Sequence, residues 1–265
     1  LKKEKQQMIK TIMFIGAHSG DIEVFAGGTV LKYFDEGYRI IYVITTNNMS
    51  GVWTRCPLDG SIRVAKPGSL EMMRLRKSEA VAAALKVAAC PVFLDHPQRN
   101  YNSREGELKE LRYGCGIPEG VAENVPSILT AHENQESRNE LKDIILSNNP
   151  EWIVTHGVDN EQIEHLATAL LAAKSYEDAV SDGYSGGLLL WQEGCWNTGA
   201  TNNLWDVFVD ISGYADRKME LVDMHVSRKV PHYVRERNMD WGKKCGCGYA
   251  EIYIIAGHGN SQLLK

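Results

Sequence analysis

His18 and Asp21 stand three residues apart in the segment HSGDIE, directly after a short apolar run over residues 11–17 (TIMFIGA). Across a tight turn this spacing brings an imidazole nitrogen and a carboxylate oxygen to one ion. A second segment repeats the design: the apolar run WIVTH over residues 152–156 leads into the polar GVDNEQIEH, which ends at His165. Two histidines and one carboxylate leave an open coordination position for water, which a hydrolytic zinc centre requires and a closed structural site lacks. Spacing alone leaves His156 and His165 as equal alternatives for the third ligand. The His-x-x-Asp pair is a weak signal in isolation, because Asp21 would serve equally well as the cap of the helix that follows.

These residues need a scaffold that carries them to one place. Residues 11–17 are apolar without alternation, the pattern of a strand buried on both faces. Val24, Ala26, Val30, Leu31 and Phe34 then recur at helical spacing, Gly37 supplies a stop, and residues 39–45 read as a second buried strand. Helices are expected over 69–87, 140–147, 163–174 and 215–225, and strands over 91–95, 152–156, 187–192 and 251–256. This alternation predicts a single α/β domain over residues 1–265, with a Rossmann-like, mainly parallel sheet flanked by helices and an antiparallel edge in its last third. The polar stretch between His96 and Arg138 exceeds an ordinary connection and is expected to act as an active-site loop or lid. In an open parallel sheet, ligands bind beyond the carboxyl ends of the strands, near the switch in strand order. His18, Asp21 and the 156–165 segment all fall at such ends.

Composition removes several functions. With 29 Lys and Arg against 34 Asp and Glu, the net charge of −5 gives no positive field to hold nucleic acid or an anionic membrane. No apolar run approaches the roughly 20 residues that cross a bilayer. The start, LKKEKQQ, lacks the apolar core of a secretory signal, and the six cysteines follow no zinc-ribbon spacing. Reduced thiols and a cytoplasmic location are therefore expected. Cys245-Gly-Cys247 reads as a loop or packing feature, and Trp191, Trp196, Trp205 and Trp241 chiefly as packing residues with a sugar-stacking platform as the alternative.

The segment HSGDIE, followed by Gly27-Gly28-Thr29 and Gly37, resembles the opening of the PIG-L/LmbE family of zinc-dependent N-acetylglucosamine deacetylases. Arg76-Lys-Ser-Glu79-Ala resembles its Arg-x-x-Glu-Ala helix, and Glu164-His165-Leu-Ala-Thr the end of its His-Pro-Asp-His motif. Asp210-Ile-Ser, Lys218, His225-x-Ser227 and Tyr249-Ala-Glu251 also fall in family-like order, so the likeness spans nearly the whole chain. The resemblance implies an LmbE-like fold and one zinc per chain on His18, Asp21 and His165, which sets His165 ahead of His156. It further implies a carbohydrate-like substrate contacted by Arg76, and a homo-oligomer. Asp95 and His225 are added as expected substrate-binding residues, and an intrahelical ion pair with Glu79 or Glu71 is the alternative for Arg76.

Two positions depart from the family pattern. Gly20 stands where the family's opening carries the aspartate that acts as general base, and Gln162 where its later motif carries a histidine. Gln162 can donate a hydrogen bond to an oxyanion but cannot deliver a proton at neutral pH. Glu23 and Glu164 are the expected replacement bases. Glu23 would otherwise serve the helix dipole in a first turn, and Glu164 would otherwise orient a ligating histidine. The expected activity is removal of an N-acyl group from an amino sugar or related small polar molecule. A metal-dependent lyase or a silent carbohydrate-binding protein are the rival readings.

Overall fold

A computed structural model describes residues 9–49, 54–55, 62–63, 70–98, 100–102, 108–110, 126–160, 162–193, 204–227 and 233–257. The chain opens with β1 (Thr11–Gly16), α1 (Asp21–Asp35) and β2 (Arg39–Thr46). Two-residue strands β3 (Thr54–Arg55) and β4 (Ile62–Arg63) pair with each other, followed by α2 (Leu70–Leu85) and β5 (Val92–His96). The short pair β6 (Asn100–Asn102) and β7 (Leu108–Glu110) precedes α3 (Ile128–Ala131), α4 (Gln135–Asn148) and β8 (Trp152–Thr155). The remainder is α5 (Ile163–Ser181), β9 (Gly187–Trp191), β10 (Val207–Asp210), α6 (Ala215–Asp223), α7 (Val234–Cys245) and β11 (Ala250–Gly257).

Seven strands form one mixed sheet in the order β10-β11-β9-β8-β1-β2-β5. The five strands from β9 to β5 are mutually parallel, while β11 runs antiparallel to both β9 and β10. The expected parallel α/β sheet with an antiparallel end is therefore observed. Every residue of β1 is buried, as its unbroken apolar run required. Ile12 and Phe14 face a core shared with α1 and α6, whereas Met13 and Ile15 face one shared with α3, α4 and α5. Because β1 joins β2 on one side and β8 on the other, the order of connection reverses at β1. That reversal opens a crevice at its carboxyl end.

Beyond the short strand pairs β3/β4 and β6/β7 and the one-turn helix α3, strand β10 and helix α7 were not legible in advance. Strand β10 is only four residues long and lies at the sheet edge. Helix α7 buries Val234, Arg237, Asn238 and Trp241 at helical spacing, but two of these four are polar, so apolar periodicity alone does not reveal it. The long stretch after His96 contains α3 and the start of α4, which Asn134 caps by accepting from the Ser137 N–H at 2.8 Å. Most of the expected lid, and Trp196, lie outside the described residues. Among the described residues no helix is long and apolar enough to cross a membrane.

Candidate metal centre at the sheet switch point

The turn after β1 carries the first two donors. Gly20 sits at φ 94°, a conformation that glycine adopts without penalty, and lets the chain enter α1 within four residues of the strand. The Asp21 carboxylate folds back onto the turn: its Oδ2 accepts from the His18 N–H at 2.7 Å and lies 3.1 Å from His18 Nδ1. Asp21 is wholly buried and His18 nearly so. Arg76, from the buried stripe of α2, donates to the Ser19 carbonyl at 3.1 Å, and Asn48, after β2, accepts from the Ser19 N–H at 2.6 Å. Thus Arg76 bears on the turn that carries His18 and Asp21. Glu79, three residues further along α2, binds the N–H and hydroxyl of Ser227 at 3.0 and 2.5 Å.

The third donor comes from the start of α5. Gln162 caps that helix, its Oε1 accepting from the Glu164 and His165 N–H groups at 2.6 and 3.1 Å. His165 Nε2 then lies 3.4 Å from Asp21 Oδ2. His18, Asp21 and His165 each offer a ligand atom, all within 4.8 Å of one another. Both imidazoles are backed by carboxylates: Glu164 Oε2 lies 2.7 Å from His18 Nε2, and Glu193 Oε2 lies 2.8 Å from His165 Nδ1. Such backing fixes ring orientation and leaves the opposite nitrogen as a lone-pair donor. Two imidazoles and a carboxylate, buried and each held by a further group, suit a divalent ion such as zinc.

His156, at the end of β8, belongs to a second overlapping group with His165 and Glu193. Its Nε2 lies 3.5 Å from Asp21 Oδ2 but accepts the Ala17 N–H at 2.9 Å. That bond occupies the lone pair a metal would need, so the geometry favours His165 over His156 as ligand. The other ring nitrogen, Nδ1, contacts Glu193 Oε1. Burial alone would raise the Glu193 pKa, but the His165 and His156 imidazoles hold it well below the usual carboxylate range.

The remaining expected site residues are distributed unevenly. Glu164 is committed to His18 and to Gln98, whose Nε2 donates to its Oε2 at 3.0 Å. Glu23 is buried beside His225, with Oε2 3.3 Å from His225 Nε2, and its Oε1 has no hydrogen-bond partner among the described residues. Asp95 turns away: it is half-exposed, has a φ of 58°, and ion-pairs with Lys77, while its neighbour His96 is the buried one. Glu193 was absent from the sequence-based set. Its signal was the one that marked His18 and His156, a polar residue just beyond the carboxyl end of an apolar strand, here β9.

The profile of the family described as PIG-L, GlcNAc-PI de-N-acetylase, matches residues 13–176, well over half of the chain. The chain belongs to the PIG-L family. That match covers β1 through most of α5, and so includes His18, Asp21 and His165. No curated protein sequence matches significantly. Among solved structures, N,N'-diacetylchitobiose deacetylase from Pyrococcus horikoshii is similar with a TM-score of 0.62 at 20% identity, over 93% of this chain and 83% of that one. The 4-carboxy-2-hydroxymuconate hydratase from Pseudomonas putida gives 0.64 at 16% identity, over 97% and 100%. A zinc-inhibited form of a teicoplanin deacetylase gives 0.59 at 14%, over 95% and 100%. At these identities the structural likeness establishes the PIG-L fold.

Proposed function

We propose that this PIG-L protein is a metal-dependent hydrolase that removes an N-acyl group from an amino sugar or a related small polar molecule. The observation that carries this reading is the convergence of His18, Asp21 and His165 at the sheet switch point, with Glu164 and Glu193 behind the two imidazoles. A divalent ion on these three residues supplies a Lewis acid for the acyl carbonyl and lowers the pKa of water. Gln162, whose Oε1 is engaged by the α5 backbone, keeps its amide N–H groups to donate to an oxyanion. Glu23 is the proposed proton acceptor, because among the described residues its Oε1 is unpartnered, whereas Glu164 is committed to His18 and Gln98. Arg76 supports the reaction by holding the turn between the two ligands.

Gly20 and Gln162 favour a second reading, a metal-dependent lyase or hydratase, since neither can perform the proton transfer expected of the family residues they replace. A hydratase among the structures that share this fold is consistent with that alternative. Acetate release from a panel of N-acetylated sugars, read beside mass analysis for loss or gain of water, separates the two. Acetate in proportion to consumed substrate is expected. A water-mass change without acetate would assign the lyase, and binding without either product would leave a carbohydrate-binding protein.

A further inference from the structure

We infer that Glu193 is a positioning residue for His165, acting through a clamp in which one carboxylate bridges the His165 and His156 imidazoles. The inference rests on the metal-centre reading above and concerns how this chain builds that centre. Glu193 Oε2 lies 2.8 Å from His165 Nδ1, while Oε1 meets His156 Nδ1 and accepts the Trp191 indole N–H at 3.1 Å. The two rings lie side by side, their centroids 4.1 Å apart and their planes inclined by 31°. An ionised carboxylate only accepts hydrogen bonds, so each imidazole must present Nδ1–H to it. In the neutral ring Nε2 is then a bare lone pair. For His156 that lone pair takes the Ala17 N–H; for His165 it faces Asp21 Oδ2 at 3.4 Å. Two acceptors aimed at one another across that distance are brought together favourably by a cation between them.

The clamp also explains how ligands from distant parts of the chain meet. Ala17 leaves β1, His156 leaves β8 and Glu193 follows β9, three strands adjacent in the sheet. The hydrogen bonds from Ala17 through His156 and Glu193 to His165 therefore tie three strand ends to the first turn of α5. Arg237, from α7, fixes the far side by donating to the Glu193 carbonyl at 2.8 Å and to the Val24 carbonyl of α1 at 3.0 Å. His156 is thereby a support for Glu193, which accounts for a second histidine lying beside the ligand set without joining it.

The test uses metal-free wild type and Glu193→Gln, an isosteric change that places an amide N–H2 against one of the two Nδ1–H groups. Two quantities are read: Co²⁺ affinity from its visible absorption, and the tautomer of His165 from ¹⁵N chemical shifts of the metal-free protein, assigned by His165→Ala. The expected result is a loss of about 10- to 100-fold in Co²⁺ affinity, with His165 shifted away from the pure Nδ1–H tautomer and the circular dichroism retained. Affinity within twofold of wild type together with an unchanged tautomer overturns the inference. If wild type binds no Co²⁺, the metal-centre reading falls, and the tautomer spectra alone decide the clamp. If Glu193→Gln does not fold, His156→Gln is read in its place. It is expected to weaken Co²⁺ binding several-fold, and an unaltered affinity overturns the inference.

Discussion

His18 has a carboxylate at each ring nitrogen, Asp21 at Nδ1 and Glu164 at Nε2. Glu164 and Glu23 therefore differ in what their removal should do. Glu164→Gln is expected to weaken Co²⁺ or Zn²⁺ binding about 10- to 100-fold, while turnover at saturating metal changes much less. Glu23→Gln is expected to leave metal affinity near wild type and to lower kcat by about 10²- to 10⁴-fold. Metal titration beside acetate-release kinetics checks both, and the opposite pattern would exchange the two roles. Full turnover in both variants would remove both glutamates as the base. Asp95 shows what strand-end logic leaves open at this scale. The left-handed backbone at Asp95 turns its side chain to Lys77, a dihedral choice that residue type alone does not announce.

At the scale of elements, α1 is fixed by charges from the far end of the chain. Glu251 accepts from the Gly28 and Thr29 N–H groups at 2.9 and 2.7 Å, while Arg237 donates to the Val24 carbonyl. A regular α-helix pairs Val24 C=O with Gly28 N–H, and here each of those groups also takes a charged side chain. Gly27 and Gly28 leave room for Lys218 and Ile211 beside the helix. A Cβ at Gly28 would stand 2.7 Å from Ile211, and one at Gly27 3.2 Å from the Lys218 stem. Gly28→Ala should therefore cost about 1–3 kcal/mol through overpacking, visible as a lower urea midpoint. A midpoint equal to wild type would show that Ile211 moves aside freely. Sequence periodicity places α1 well because its buried face is largely apolar. It misses α7 because that helix buries an arginine and an asparagine engaged by residues outside the helix.

Across the whole molecule, the buried Lys218–Glu251 pair joins α6 to β11 and, through Glu251, to α1. Asn238 of α7 accepts from the same ammonium at 2.7 Å. Lys218→Met leaves the Glu251 carboxylate buried without its cation and is expected to cost about 3–5 kcal/mol in a denaturation experiment. Burial pulls the Lys218 pKa down to about 8, with Glu251 opposing, below the 10.5 of a free lysine. Between those values the unfolded chain binds more protons than the folded one, so the Lys218 contribution to stability grows as pH rises. The difference in stability between wild type and Lys218→Met should therefore widen from pH 8 to 10.5. A constant or narrowing difference would show that the lysine does not titrate in that window.

The sequence by itself determined the parallel α/β architecture, because strands buried on both faces and helices with an apolar stripe write their periods into the order of residues. It also singled out His18, Asp21 and His165, through local spacing at strand ends and through motif resemblance. Only the tertiary structure decided what stands behind them. Glu193 lies 28 residues from His165, and Arg237 reaches it from a helix whose buried face is partly polar. The bond that sets His156 apart from the candidate ligands spans 139 positions, from Ala17 N–H to an imidazole Nε2. Contacts of this kind depend on register between neighbouring strands. That register is set by the packing of the whole sheet, and nothing local to either residue records it.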